Sequence, residues 1–193
     1  MALTQARTGT DPKISLNYPD GSLIVRSREI PWTPWGMPGT QFKLLHCDDA
    51  SSLLVILLKV EPGTVAGVHK HFGAAHAYIL EGGFGYEHGE VFPGDYMVEA
   101  GGITHQPFTG PDGLLLLLGF MFGPIGGLDD NDNLAGVLDI EWHYQAALAN
   151  GAAGHIQRKS KAAAPAHCWS PATHARRHCP TCRPRKRRGS RSS

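Results

Sequence analysis

Two histidines separated by a single residue are the part of this sequence best suited to chemistry. His69 and His71 lie in a segment whose composition favours a β-strand. Alternate side chains of a strand point to the same face, so both imidazoles can meet one metal ion. His105 follows after a Gly-Gly turn, and a neighbouring strand would bring it to the same ion. Three imidazoles on one side of a metal leave the opposite positions open, as a catalytic site requires.

The elements that must position these histidines are short apolar runs, each bounded by Gly, Pro, Asp or Asn. The runs predict strands over residues 42–46, 52–60, 77–80, 84–87, 96–98 and 114–122. Many short strands separated by frequent turns are typical of a sandwich or a barrel. Residues 134–148 differ, because their apolar residues have helical spacing and Asn150-Gly151 follows as a stop signal. We predict one helix there, packed against the barrel.

Charge divides the chain into two parts. Residues 1–149 hold 7 Lys and Arg and all 17 Asp and Glu, whereas residues 150–193 hold 11 Lys and Arg and no acid. The average of +1 therefore hides an acidic body and a basic tail. We expect four segments, and the last of them to be disordered because it cannot bury an apolar face. The segments are an N-terminal arm with edge strands (1–40), the barrel (41–125), a helical segment (126–152) and the basic tail (153–193).

The tail contains two features that could bind a ligand. Cys179-x2-Cys182, with His174 and His178 nearby, has zinc-binding residue types, but the spacing is too short for a zinc-finger core. The basic run 183–191 lacks the interleaved aromatic residues and folded frame of a nucleic-acid site. We therefore expect no nucleic-acid binding through the folded domain, and no effect on metal content or turnover when residues 155–193 are deleted.

Cysteine usage and hydropathy bear on location. Cys47 is alone in the body, which argues against a disulfide framework and for a reducing compartment. The N-terminal residues lack a basic start followed by an apolar run, and the longest apolar stretch is too short for a bilayer. These features predict a cytoplasmic protein without a membrane anchor. Exposed strands of a short barrel commonly pair, so a homodimer or homotetramer is expected.

The glycines and histidines together resemble the two sequence motifs of the cupin family. The matching patterns are Gly63-x5-His69-x-His71-x4-His76-x6-Gly83 and Gly94-x5-Ala100-x-Gly102-x2-His105-x3-Thr109. The resemblance implies an all-β fold, the double-stranded β-helix or jelly-roll barrel, here with a short C-terminal helix. It also implies a divalent metal held by His69, His71 and His105. The sequence departs from the family at His76, Ala100 and Thr109, where glutamate, proline and asparagine are usual.

Residues 69–108 resemble more closely the cupin branch that holds 2,4′-dihydroxyacetophenone dioxygenase and the acetylacetone-cleaving enzymes, and the likeness covers roughly residues 10–152. This branch implies non-haem Fe(II), with zinc possible in isolated protein, and carbon–carbon cleavage by O2. A small aromatic hydroxy ketone, 2,4′-dihydroxyacetophenone, would give 4-hydroxybenzoate and formate. Three neutral ligands would leave the metal charge unrelieved by any protein carboxylate, which favours a chelating, enolisable ketone. Alternatives are a diketone-cleaving dioxygenase and a zinc-binding cupin sensor domain without turnover.

Several further residues are candidates for the chemistry. His76 has strand parity opposite to His71, so we place it beside the site rather than among the ligands, with occasional ligation left open. His76, Glu99 and Tyr78 are the candidate catalytic residues. The preferred order for a base is His76, His88 and then Glu99. The aromatic residues that could wall an aryl pocket are Tyr78, Tyr86, Trp32, Trp35 and Phe108.

Overall fold

The computed structural model describes residues 14–111, 113 and 115–158, which form fourteen β-strands and one α-helix. The first strands are β1 (Ser15–Asn17), β2 (Leu23–Val25), β3 (Thr33–Pro34), β4 (Thr40–Asp48), β5 (Leu53–Val60), β6 (His69–His71) and β7 (Ala75–Glu81). They are followed by β8 (Phe84–Tyr86), β9 (Gly89–Val91), β10 (Tyr96–Glu99), β11 (Thr104–His105), β12 (Leu115–Met121), β13 (Ile125–Leu128), β14 (Leu134–Leu138) and α1 (Ile140–Ala149).

The strands form two main antiparallel sheets. One has six strands in the order β10-β7-β12-β5-β4-β3, and the other has four in the order β11-β6-β13-β14. Two small sheets pair β1 with β2 and β8 with β9. The expected all-β class with one short C-terminal helix is confirmed, and each of the six predicted strands has a counterpart, in β4, β5, β7, β8, β10 and β12.

Alternation along the strands places the core on the inner face of the six-stranded sheet. In β12 the residues Leu115, Leu117, Gly119 and Met121 are buried, and the residues between them are only partly buried. Such a period of two is what a sheet with one covered face requires. The largest buried side chains of this core come from β4, β5 and β7 and include Phe42, Leu44, Ile56 and Ile79.

The predicted helix over residues 134–148 is wrong in its first part. Residues Leu134–Leu138 form β14, which pairs with β13 through partners such as Gly126 and Val137. The glycine disfavours a helix, the β-branched valine favours an extended backbone, and β13 supplies the hydrogen bonds. The helix begins only after Asp139, whose side chain accepts a hydrogen bond of 2.8 Å from the Trp142 backbone N–H. No helix of the described residues is long and apolar enough to cross a membrane.

Packed side chains continue after the helix, into residues 153–158. Ala153 and His155 are buried, and the His155 Nε2 donates a hydrogen bond of 2.8 Å to the Leu44 carbonyl. Arg158 then forms a two-pronged ion pair with Asp49, with nitrogen–oxygen distances of 2.7 and 2.9 Å. Residues up to and including Arg158 therefore make side-chain contacts with the rest of the domain. Residues 159–193, with the cysteine pair and the basic run, lie outside the described residues.

His143 anchors α1 to the barrel from a fully buried position. Its Nε2 accepts a hydrogen bond of 2.9 Å from Trp35 Nε1, and its Nδ1 donates to the Asp139 carbonyl at 2.6 Å. Burial lowers the pKa of His143 to about 4, so the imidazole is neutral at pH 7 and both bonds are compatible with one tautomer.

The variant His143→Ala should lower the free energy of unfolding by about 2–4 kcal/mol, because it opens a cavity and leaves the Trp35 N–H without its acceptor. Urea unfolding at pH 7 measures this change. The matched control is Gln145→Ala on the exposed side of the same helix, which should stay within about 0.5 kcal/mol of the parent. Equal effects of the two variants would contradict the anchoring role.

Candidate metal centre

The central strand of the four-stranded sheet supplies two of the three candidate ligands. Strand β6 lies between β11 and β13, and its alternation places His69 and His71 on one face with Lys70 on the other. On β11, His105 is the direct cross-strand partner of His69. Pairing therefore brings His105, which is 34 residues beyond His71 in sequence, next to the two histidines of β6, as the strand parity and the motif spacing predicted.

The three imidazole rings converge through their Nε2 atoms. His105 Nε2 lies 2.8 Å from His69 Nε2 and 3.1 Å from His71 Nε2. Nitrogens bound at about 2.1 Å to one metal, at right angles to each other, would lie about 3 Å apart. All three side chains are buried, and their ligand atoms form a group that could hold a metal ion. The donor set and its spacing fit a divalent metal with free positions on the opposite side.

The surroundings hold the histidines in the form that binds metal. Desolvation lowers the pKa of all three, to about 3 for His71 and about 4 for His105, with the neighbouring histidines adding to the shift of these two. Neutral imidazoles keep a lone pair for coordination. His69 Nδ1 donates a hydrogen bond of 2.9 Å to the Gly67 carbonyl, which leaves Nε2 as its ligand atom.

A carboxylate stands directly beside this group. Glu99 Oε2 lies 3.4 Å from His71 Nε2, and Glu99 Oε1 lies 3.4 Å from His105 Nδ1. The group of potential ligands holds the three histidines and not Glu99, so this carboxyl adds an ionisable group next to the expected three-histidine set. Glu99 is on β10, where it shares a strand face with Met97, and both residues border the metal cavity. That shared parity was the sequence signal for its inward direction.

Burial also changes the acidity of Glu99. Its side chain is 14% exposed, and desolvation raises the pKa of its carboxyl to about 7. A nearby divalent cation would favour the ionised form and oppose this shift. A carboxylate balanced in this way can accept and release a proton near neutral pH.

The histidines open onto a largely apolar cavity of about 110 Å³ inside the barrel. Aliphatic and methionine side chains of the six-stranded sheet form a large part of its wall, among them Ile56, Leu58, Met97, Leu117 and Met121. At the end formed by residues 40, 64 and 109 the wall carries threonines. The Thr109 hydroxyl donates to the Glu61 carbonyl and accepts from the Thr64 backbone N–H, so it ties two loops together.

Two of the predicted catalytic residues lie apart from the converging nitrogens. His76 borders the cavity, but its Nδ1 hydrogen-bonds the exposed Tyr96 hydroxyl and its ring packs on Phe122. It does not belong to the group of potential metal ligands, in agreement with the strand-parity argument. Tyr78 is 44% exposed and does not border the cavity, so the structure does not place it at the site.

The candidate wall residues divide in the same way. Trp35 and Phe108 border the cavity. Tyr86 instead packs edge-on against the His105 ring, with the ring of the exposed His88 behind it. Trp32 lies under the ammonium groups of two lysines and is not part of the wall.

Comparisons with known proteins agree with this architecture. Residues 20–121 match the family model described as the ChrR cupin-like domain. An RmlC-like cupin protein of Ralstonia eutropha JMP134 superposes with a TM-score of 0.62 at 22% identity, over 69% of this chain and 89% of its own. No curated protein sequence matches the chain significantly.

Two further solved structures carry a dioxygenase name. A putative acetylacetone dioxygenase from Methylibium petroleiphilum PM1 has a TM-score of 0.59 at 17% identity, over 64% of this chain and 92% of its own. An acetylacetone dioxygenase from Acinetobacter johnsonii has a TM-score of 0.54 at 17% identity, over 77% and 94%. At these identities the likeness establishes the cupin fold and leaves the activity to be argued from the site.

Proposed function

We propose, from the premise that the chain belongs to the ChrR cupin-like domain family, that it is an iron-dependent dioxygenase which cleaves a carbon–carbon bond of an enolisable ketone. The preferred substrate class is a 2-hydroxy ketone with one aromatic ring, represented by 2,4′-dihydroxyacetophenone. The observation that carries the proposal is the juxtaposition of three converging neutral histidines with the Glu99 carboxylate, at the wall of an apolar cavity.

The proposed reaction divides its work between a metal and the protein. A bound iron ion would supply a Lewis acid for the two ketone oxygens and the means of activating O2. Glu99 would take the proton that enolisation releases, because its Oε2 lies 3.4 Å from the Nε2 of His71. The carboxyl, only 14% exposed and beside the converging imidazoles, would hold that proton and return it to one of the two carboxylate products.

The rest of the cavity binds and shields the substrate. Apolar side chains such as Ile56 and Leu117 face the space beside the histidines and would contact the non-reacting part of the ketone. Their surface excludes water, which protects a reactive enolate and strengthens the electrostatic contacts within the site. Overall, one 2,4′-dihydroxyacetophenone and one O2 give one 4-hydroxybenzoic acid and one formic acid, with one atom of the O2 in each product.

A second candidate function is a metal-binding sensor domain without turnover. The family model that matches residues 20–121 is described as the ChrR cupin-like domain. ChrR itself is an anti-sigma protein that has been solved in complex with a sigma factor. Three buried imidazoles suit zinc as well as iron. Tight zinc binding without any oxygen consumption is the behaviour that this candidate requires.

Oxygen uptake by the Fe(II)-loaded full chain is the direct test. We expect consumption of one O2 per ketone with 2,4′-dihydroxyacetophenone, and mass spectrometry with ¹⁸O2 should place one labelled atom in each acid. Acetylacetone serves as the alternative substrate and distinguishes the diketone-cleaving variant of the proposal. Protein stripped of metal by a chelator is the control and should show no uptake. No uptake with either ketone, together with tight zinc retention, would replace the proposal with the sensor function.

A further inference from the structure

A second, surface-facing space lies next to the metal cavity. It is a groove of about 230 Å³ whose wall is unusually rich in glycine, with Gly82, Gly83, Gly85 and Gly110 among the residues that border it. Because glycines carry no side chain, the groove remains open along strands β8 and β9. Nothing in the proposed reaction so far uses this space.

Two aromatic side chains separate the groove from the metal cavity. Among the described residues, only Phe84 and Phe108 border both spaces. Phe84 is 9% exposed and belongs to the buried core, so its ring is fixed by packing. Phe108 is 46% exposed and therefore stands where the cavity wall meets solvent. It follows the ligand His105 by three residues.

The backbone of Phe108 pairs with that of Gly85, and the Phe108 ring packs over this glycine. Phe108 and Gly85 exchange two backbone hydrogen bonds of 2.9 Å each. A Cβ atom added to Gly85 would lie only 2.8 Å from Phe108 Cζ, closer than such contacts occur. The ring can keep its position only because residue 85 is glycine. Gly85 borders the groove and not the cavity, so a side chain there would push the ring towards the cavity.

We infer that Phe108 sets the upper size limit for molecules at the metal site, by closing the metal cavity against the glycine-lined groove. If the substrate is a ketone, which rests on the proposed function, this limit means that ketones with a single ring bind at the site and ketones with fused rings do not. Removing the Phe108 ring joins the two spaces and lets a larger substituent extend into the groove.

Metal-directed probes of increasing size test this wall without any need for turnover. The probes are imidazole, 4-phenylimidazole and 4-naphthylimidazole, titrated into the Co(II)-loaded full chain and followed by the visible absorption of cobalt. The Phe108→Ala variant should raise the affinity for the naphthyl probe relative to imidazole by about tenfold or more, since misfit in an apolar pocket has effects of this size. Phe108→Leu should give a smaller change in the same direction.

Two other variants sharpen the test. Phe92 is an exposed phenylalanine that borders the groove and not the cavity, so Phe92→Ala is the matched control and should leave the affinity ratio unchanged. Gly85→Ala should change the ratio in the opposite direction to Phe108→Ala, because the displaced ring narrows the cavity. Circular dichroism checks that each variant is folded.

The outcomes separate this inference from the proposed function. An unchanged ratio in Phe108→Ala and Phe108→Leu, or an equal change in Phe92→Ala, would overturn the role of Phe108. Failure of the wild-type chain to bind any probe would overturn it as well, since the metal would then have no open position facing the cavity. If Phe108→Ala changes the ratio of naphthyl-probe to imidazole affinity but the iron-loaded wild type takes up no oxygen, the role of Phe108 stands and the dioxygenase function is wrong.

Discussion

Replacing His105 with alanine is expected to weaken metal binding by more than about 100-fold, the upper end of the loss caused by removing an outer partner of a ligand. His105 Nε2 lies within 3.1 Å of both other Nε2 atoms, so it belongs to two of the three pairs of the triad. Two histidines on β6 would remain, and they cannot enclose one face of an ion. Metal content after dialysis against a competing chelator, measured by mass spectrometry, gives the result. Oxygen uptake should fall in parallel.

The matched control for this variant is His76→Ala, which removes an imidazole of the same sequence motif from a different position. Its Nδ1 is engaged by the Tyr96 hydroxyl, and its loss should leave metal content unchanged. Equal loss of metal in the two variants would show that His76 is a ligand and that the triad is incomplete without it. Circular dichroism of both variants distinguishes loss of a ligand from loss of the fold.

The variant Glu99→Gln should keep the metal and lose about 10²- to 10⁴-fold in turnover rate, the usual range for removing a general base. Glutamine has nearly the same shape, so the packing beside His71 and His105 is preserved. The amide, however, cannot accept the proton that Glu99 is proposed to take. The measurement is steady-state oxygen uptake at saturating ketone, with metal content determined on the same samples.

Glu81→Gln is the appropriate control, because Glu81 is an exposed glutamate at the end of the neighbouring strand β7. It should behave as the parent in both rate and metal content. If Glu99→Gln turns over at the parent rate, the proton must be taken by another group and the proposed role of Glu99 is wrong. If it loses metal as completely as His105→Ala, Glu99 acts chiefly as a ligand.

Local periodicity was sufficient to predict that two of the three histidines share a strand face. His69 and His71 are two residues apart on a strand, and that spacing alone dictates a common face. The position of His105 required the family spacing, because cross-strand register depends on turns that composition does not specify. The same parity rule places His76 outside the ligand set, and His76 is absent from the group of potential ligands.

The position of Glu99 next to the histidines could not be predicted from the sequence. The alternation of β10 pairs it with Met97 and so indicates an inward direction, but the approach to the histidines depends on how two different sheets meet. The ion pair between Arg158 and Asp49 is a similar case, because its partners are far apart in sequence and composition placed Arg158 in the tail. For residues 134–138 the apolar spacing of three and four residues predicts a helix. So short a segment can also form a strand when a partner such as β13 is available, and here it does.

Because the site is divided between two sheets, the distance between the Glu99 carboxylate and the histidine rings can change without any change in those residues. The histidines belong to the four-stranded sheet and Glu99 to the six-stranded one, so the 3.4 Å gaps between carboxylate and imidazoles are spanned by packing and not by a shared strand. Core residues between the sheets act as spacers in a mechanical sense. A core substitution that changes side-chain volume there would change the distance from Glu99 to the histidines, and with it the rate of proton transfer. The three histidines would keep their mutual spacing, because they lie on paired strands of one sheet. Natural variation or laboratory evolution thus has a route to new rates that leaves every chemical group in place.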